Sequence, residues 1–195
     1  MIYYSVPYST EKNLGKYYND FMSMLPSDDD FGCFVDGDTM FTTTNYGHII
    51  NDVVNENPDI SCFTCYTNRI GCKWQLAPGV DQDTNDMNYH RNFGLSLQTI
   101  FGTECEDMTD VSNKEVLSGH LMLLKKSVWK KIGGFAEKGM LGIDNDLHWK
   151  IKKNNEKVYL MKGIYIFHWY RWPDPKNKYT LSLHDALPID RKSVV

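Results

Sequence analysis

Apolar residues in this chain come in short blocks that switch between two periods. Ile2 to Ser5 is a brief β-prone run closed by Pro7, and it predicts a first strand. From Asn13 to Leu25, the residues Leu14, Tyr17, Tyr18, Phe21, Met24 and Leu25 recur at three- and four-residue steps, the spacing of one helical face. Pro26 and the acidic run after it end that helix. Phe31 to Val35 is then almost continuously apolar, and strand, helix and strand so tightly connected predict a parallel βαβ unit. Ile49, Ile50, Val53 and Val54 mark a second helix stopped at Pro58, and Ile60 to Thr67 reads as the next strand.

Between Trp74 and Asn88 the chain turns polar and rich in turn residues, so a loop open to movement is expected. His90 to Phe101 predicts a helix and Thr103 to Asp110 a loop. Leu121 to Leu124 is a buried strand, followed by a short helix that ends at Gly133 and Gly134. Leu147 and Ile151, four apart and backed by charges, place an amphipathic helix after the acidic stretch around Asp144. Two strands close the pattern, Val158 to Met161 and Ile164 to Phe167. The alternation predicts an α/β protein with helices flanking a sheet, and 195 residues suit a single domain.

Twelve Tyr, nine Phe and five Trp supply an aromatic core, and the net charge of -4 leaves no basic footprint for nucleic acid. No apolar run approaches the roughly 20 residues that span a bilayer. The first residues also lack the charged and apolar regions of a signal peptide, so a cytoplasmic protein without a membrane span is expected. Cys62, Cys65 and Cys72 lie close together, but Cys33 and Cys105 offer no second paired half for zinc. Reduced thiols packed in or near the core are the expectation. Residues 179–195 resemble translated sequencing adapter rather than protein, so His184 and Asp185 are set aside and the domain is taken as residues 1–178.

Asp36 and Asp38 sit at the carboxyl end of the strand Phe31 to Val35, where ligands of open α/β sheets bind. An extended segment would direct both carboxylates to one side, toward a cation or a substrate. The blander reading is a solvated turn, which favours Asp and Gly anyway. Asp144 and Asp146 precede an apolar run in the manner of helix-capping residues.

In their order these motifs resemble the GT-A glycosyltransferases, in particular the family-two-like ones. Asn13, Gly15 and Asn19 match an Asn-x-Gly-x-x-x-Asn helix, and Asp36 and Asp38 match the Asp-x-Asp that follows it. Further on, "SGHLML", "GGFAE" and "IDNDLHWKI" match a small-residue strand, a turn with an acid and an acidic helix start, and His168 matches a histidine after the last core strand. Ile143 stands where the acidic motif usually has Glu or Asp, and the stretch between the first strand and Asp36 is short for a nucleobase-binding half.

The resemblance implies a GT-A fold with a central mixed, mostly parallel sheet. It implies a metal-dependent, inverting transfer of a sugar from a UDP- or GDP-linked donor to a carbohydrate or other hydroxyl acceptor. Asp36, Asp38 and His168 would hold Mn²⁺ or Mg²⁺, which suits mixed carboxylate and imidazole ligation. Asp144 would be the catalytic base, while Asn13, Lys16, Asp36 and His120 would approach the donor diphosphate. Among Trp74, Trp169 and Trp172, Trp74 is preferred for stacking on the acceptor because it lies beside the polar loop.

Two other readings compete. One is a catalytically idle nucleotide- or sugar-binding module of the same fold. The other is a haloacid-dehalogenase-like phosphotransferase, whose nucleophile motif also ends a strand in Asp-x-Asp, although Met40 stands where that motif wants Thr or Val.

Overall fold

All five residues of Phe31–Val35 are buried, which an apolar run of that length requires of a central strand. The computed structural model describes residues 1–111 and 115–169. Within them the chain runs β1 (Ile2–Ser5), α1 (Leu14–Met24), β2 (Phe31–Val35), β3 (Thr39–Phe41), α2 (Tyr46–Glu56), β4 (Cys62–Thr67), α3 (Met87–Phe101), β5 (Cys105–Asp107), β6 (Leu121–Lys125), α4 (Lys126–Lys131), α5 (Ile143–Lys153) and β7 (Val158–His168). Trp172 and the adapter-like tail lie outside the described residues.

These strands form one sheet in the order β1-β2-β6-β4-β7-β3, with β5 also on β7. β1 pairs parallel with β2, Ile2 opposite Phe31, so the expected βαβ unit is present. β4 pairs parallel with β7, while β6 is antiparallel to β2 and β4, and β3 and β5 are antiparallel to β7. The sheet is therefore mixed: β1, β2, β4 and β7 run one way and β3, β5 and β6 the other. Tyr4 of β1 and Phe41 of β3 lie at opposite ends of this order, yet their rings are 6.4 Å apart. Only a strongly coiled sheet brings those ends together.

β6 divides the core. Met122 and Leu124 pack with Leu14, Tyr18 and Met22 of α1 and Leu147 and Ile151 of α5. Leu121 and Leu123, on its other face, pack with Ile50 and Val53 of α2. This alternation is the period-two pattern of a strand covered on both sides. A third cluster joins Leu97 of α3 to Tyr66, Leu160 and Tyr165. No helix among the described residues is long and apolar enough to cross a membrane.

Three local expectations are corrected. The two final strand candidates are one strand, β7, and the register against β4 jumps between Cys65 and Tyr66. Gly163 sits in the stretch this jump skips, and a Cβ there would stand 2.0 Å from the Gly102 carbonyl oxygen. The expected loop Thr103 to Asp110 contains β5, and the three-residue β3 was not foreseen. Strands this short carry too few residues to show a period.

The helix motif in α1 has a packing role. A Cβ on Gly15 would lie 1.9 Å from the Ala136 carbonyl oxygen, so α1 touches the turn after α4 through a position only glycine can fill. Asn19 brackets Phe135 of that turn, donating Nδ2–H to its carbonyl at 3.0 Å and accepting its N–H at 2.8 Å.

Candidate functional site

Parallel strands align their carboxyl ends, so β2, β4 and β7 deliver Asp36, Asn68 and His168 to one edge of the sheet. Residues 36–39 form a turn rather than an extended segment. Thr39 donates both its N–H (3.1 Å) and its hydroxyl (2.7 Å) to the Asp36 carbonyl. The turn, not strand alternation, therefore brings the two carboxylates together. Trp169 ties it to β7 by donating its N–H to the Asp38 carbonyl at 2.8 Å.

One ligand atom from each of Asp36, Asp38 and His168 lies within 4.8 Å of the others, the one such metal-capable group among the described residues. His168 is buried. Its Nδ1–H donates to the Arg69 carbonyl at 2.9 Å, which leaves Nε2 directed at Asp38 Oδ1, 3.3 Å away. A carbonyl on one ring nitrogen is the usual means of fixing the tautomer and angle of a metal-ligating histidine. The backbone N–H of His168 donates to Asn68 Oδ1 at 2.7 Å. Sequence reasoning passed over Asn68 and Arg69, because a side-chain oxygen and a main-chain carbonyl leave no motif.

Burial pushes the Asp36 carboxyl up to about 7; His168 opposes this, while Asp38 and Asp144 add to it. The site thus concentrates carboxylates whose mutual repulsion a cation would relieve. Two carboxylates and an imidazole within reach of one another are a fitting donor set for a Mn²⁺- or Mg²⁺-sized ion.

Asp144 stands in the first turn of α5. Its Oδ2 accepts the Gly119 N–H at 2.9 Å and its Oδ1 the Asn145 N–H at 2.9 Å. Burial raises its pKa, partly offset by those two bonds. Asp144 also acts electrostatically on Asp36 and on the buried phenol of Tyr18, so it shares their side of the sheet. Tyr18 had read only as part of a helical stripe. Asp146, by contrast, is paired with Lys150 at 3.2 Å as an ordinary helix-face residue.

The remaining expected site residues have structural occupations. Asn13 caps α1 by accepting the Lys16 N–H at 3.1 Å, and Lys16 pairs with Asp20 at 2.5 Å in solvent. Both stand at the sheet's carboxyl edge, where α1 begins, but neither is aimed at the acid pair by any bond. His120 is fully buried: Nε2–H donates to the Cys65 carbonyl at 3.1 Å, and burial, then His168, lowers its pKa to about 3. Its ring lies behind His168, centroids 6.1 Å apart, rather than on an open cleft. Trp74 is partly buried between two core clusters and donates its indole N–H to the Glu115 carbonyl. Trp169, half exposed beside His168, is the tryptophan nearer the acid pair.

The polar loop after Trp74 is fastened by Arg69, which donates to Asn85 Oδ1 at 2.8 Å and the Thr84 carbonyl at 3.2 Å. His90 holds the same loop from below, against the Thr84 carbonyl at 3.0 Å and the Tyr165 hydroxyl at 2.6 Å. Cys33, Cys62, Cys65 and Cys72 are buried free thiols.

No protein-family model matches the chain, and no curated protein matches it.

Proposed function

We propose that the protein is a metal-dependent glycosyltransferase that moves a sugar from a nucleoside diphosphate to a hydroxyl acceptor with inversion. The observation that carries this reading is the convergence of Asp36, Asp38 and His168 at the carboxyl edge of the sheet, with Asp144 acting electrostatically on Asp36. Asp36, Asp38 and His168 would hold Mn²⁺ or Mg²⁺. Such an ion supplies charge neutralisation for a departing diphosphate.

The chain's own residues supply the rest. Arg69 and Asn68 hold His168 in place through its ring and its backbone. Asp144, with its basicity raised by burial, would take the proton of the attacking hydroxyl, and the N–H groups of Gly119 and Asn145 would orient its carboxylate for that task. Half-exposed Trp169 offers a flat apolar face beside the acids for a sugar ring.

Calorimetry of the full chain tests this, titrating UDP and then GDP with and without Mn²⁺, beside an Asp38→Ala variant. Metal-dependent nucleotide binding that the variant loses supports the reading. Binding without turnover on any UDP- or GDP-sugar would favour an idle binding module. No nucleotide binding under either condition would overturn the proposal.

A further inference from the structure

Asp36 and Asp144 are both bonded to one tripeptide. Gly119 donates its N–H to Asp144 Oδ2 at 2.9 Å, and the His120 carbonyl accepts the Asp36 N–H at 3.1 Å. Ser118, Gly119 and His120 thus form a bridge between the Asp144 carboxylate and the backbone of Asp36. Space around it is tight, since a Cβ on Gly119 would lie 3.3 Å from the Asp144 Cβ.

That bridge precedes β6 and has no ladder partner of its own at Ser118. One side chain replaces the missing ladder. Gln75, wholly buried in the short 3₁₀ turn Lys73–Gln75, accepts the Ser118 N–H on Oε1 at 2.8 Å. Its Nε2 donates to the Ser118 carbonyl at 3.0 Å, to Thr64 Oγ1 at 2.8 Å and, more weakly, to His120 Nδ1 at 3.4 Å. The amide therefore imitates a β-strand neighbour, satisfying both backbone groups of one residue and anchoring them to β4. Neutral amide and backbone partners in a buried setting define position sharply, because each lost bond would leave a desolvated group unpaired.

We infer that Gln75 is a positioning residue that sets the distance between Asp36 and Asp144 by clamping the Ser118–His120 bridge. The inference rests on the reading of these two carboxylates as the metal-side and base-side groups of one site. Gln75 touches neither of them, and acts through Gly119 and His120. His120, expected from sequence at the donor, belongs to the same clamp.

The test uses the full chain and four proteins: wild type, Gln75→Met, Gln75→Glu and Val53→Ala. Gln75→Met roughly keeps the volume and removes every bond. Gln75→Glu keeps an acceptor for the Ser118 N–H. Val53→Ala truncates a buried core residue of α2 outside the clamp and controls for general destabilisation. The first measurement is ¹⁵N NMR of the Gly119 amide through a pH titration, which reads the ionisation of Asp144 across their hydrogen bond. The second is kcat and KM for transfer from a UDP- or GDP-sugar.

Wild type and Val53→Ala are expected to show the titration at the Gly119 amide, and Gln75→Met to lose it. Turnover in Gln75→Met should fall about a hundredfold with KM little changed, as for a catalytic group displaced by around an ångström. Gln75→Glu should recover part of both signals. A Gln75→Met protein that keeps the Gly119 titration and wild-type kcat overturns the inference. Loss of the titration in Gln75→Met where wild type shows it, together with no turnover in any protein, supports the clamp and sinks the glycosyltransferase reading instead. Should Gln75→Met not fold, Gln75→Asn, whose amide is withdrawn by one methylene, is judged by the same two criteria.

Discussion

His168 presents Nε2 to Asp38 Oδ1 at 3.3 Å because its other ring nitrogen is committed to the Arg69 carbonyl at 2.9 Å. The relationship turns Nε2 toward a carboxylate pair, an arrangement that the proposed divalent cation would complete. Asp38→Ala and His168→Ala are each expected to abolish calorimetrically measurable Mn²⁺ binding. Asn68→Ala, which removes the acceptor for the His168 backbone N–H, should weaken it about tenfold. Unchanged affinity in the two ligand variants would show that the cluster holds no ion.

Asp144→Asn leaves shape and burial alone and removes the proposed base. Turnover should drop roughly 10²- to 10⁴-fold. Nucleotide affinity should stay near wild type, and unfolding free energy within about 1 kcal/mol, since the amide oxygen still accepts one of the two N–H bonds. Wild-type turnover in this variant would remove Asp144 from the mechanism.

Asp36 makes the metal-free protein sensitive to pH in a defined direction. Its carboxyl titrates near 7 in the fold, driven first by burial, against about 4 in an unfolded chain. Between those values the folded state holds a proton that the unfolded state has released. Stability therefore declines as pH rises from about 4 to 7, by at most about 1.4 kcal/mol per pH unit, and is lowest above that window. Urea unfolding at pH 5 and pH 8 should show wild type losing stability at the higher pH and Asp36→Asn losing much less. Added Mn²⁺ should restore wild type mainly at pH 8. Equal slopes in the two proteins would contradict this account.

Gly15 offers a test of the packing between α1 and the turn after α4. Gly15→Ala places a methyl against the Ala136 carbonyl, where 1.9 Å of separation forces the backbone apart, and should cost about 1–3 kcal/mol or more. Gly47→Ala in α2 meets nothing within 4 Å and should be neutral or stabilise by up to about 1 kcal/mol through helix propensity. Denaturant melts of both variants check the pair, and equal midpoints would refute the close contact.

Sequence alone determined the elements long enough to display a period. α1 shows its stripe through Leu14, Tyr18 and Leu25, although Met22 and not Met24 is the buried methionine, and β2 and β6 show their continuous burial, because these patterns arise from local backbone geometry. The acid pair at the end of β2 was legible for the same reason: a strand end is a local event. Tertiary structure decided what surrounds that pair. Asp36 and His168 meet because β2, β4 and β7 run in the same direction within a coiled sheet, and strand order is a long-range property that no window of sequence contains. The same holds for Gln75, Asn68 and the Arg69 carbonyl. Each acts through hydrogen bonds to backbone groups distant in the chain, and a backbone group carries no residue identity for a sequence to reveal.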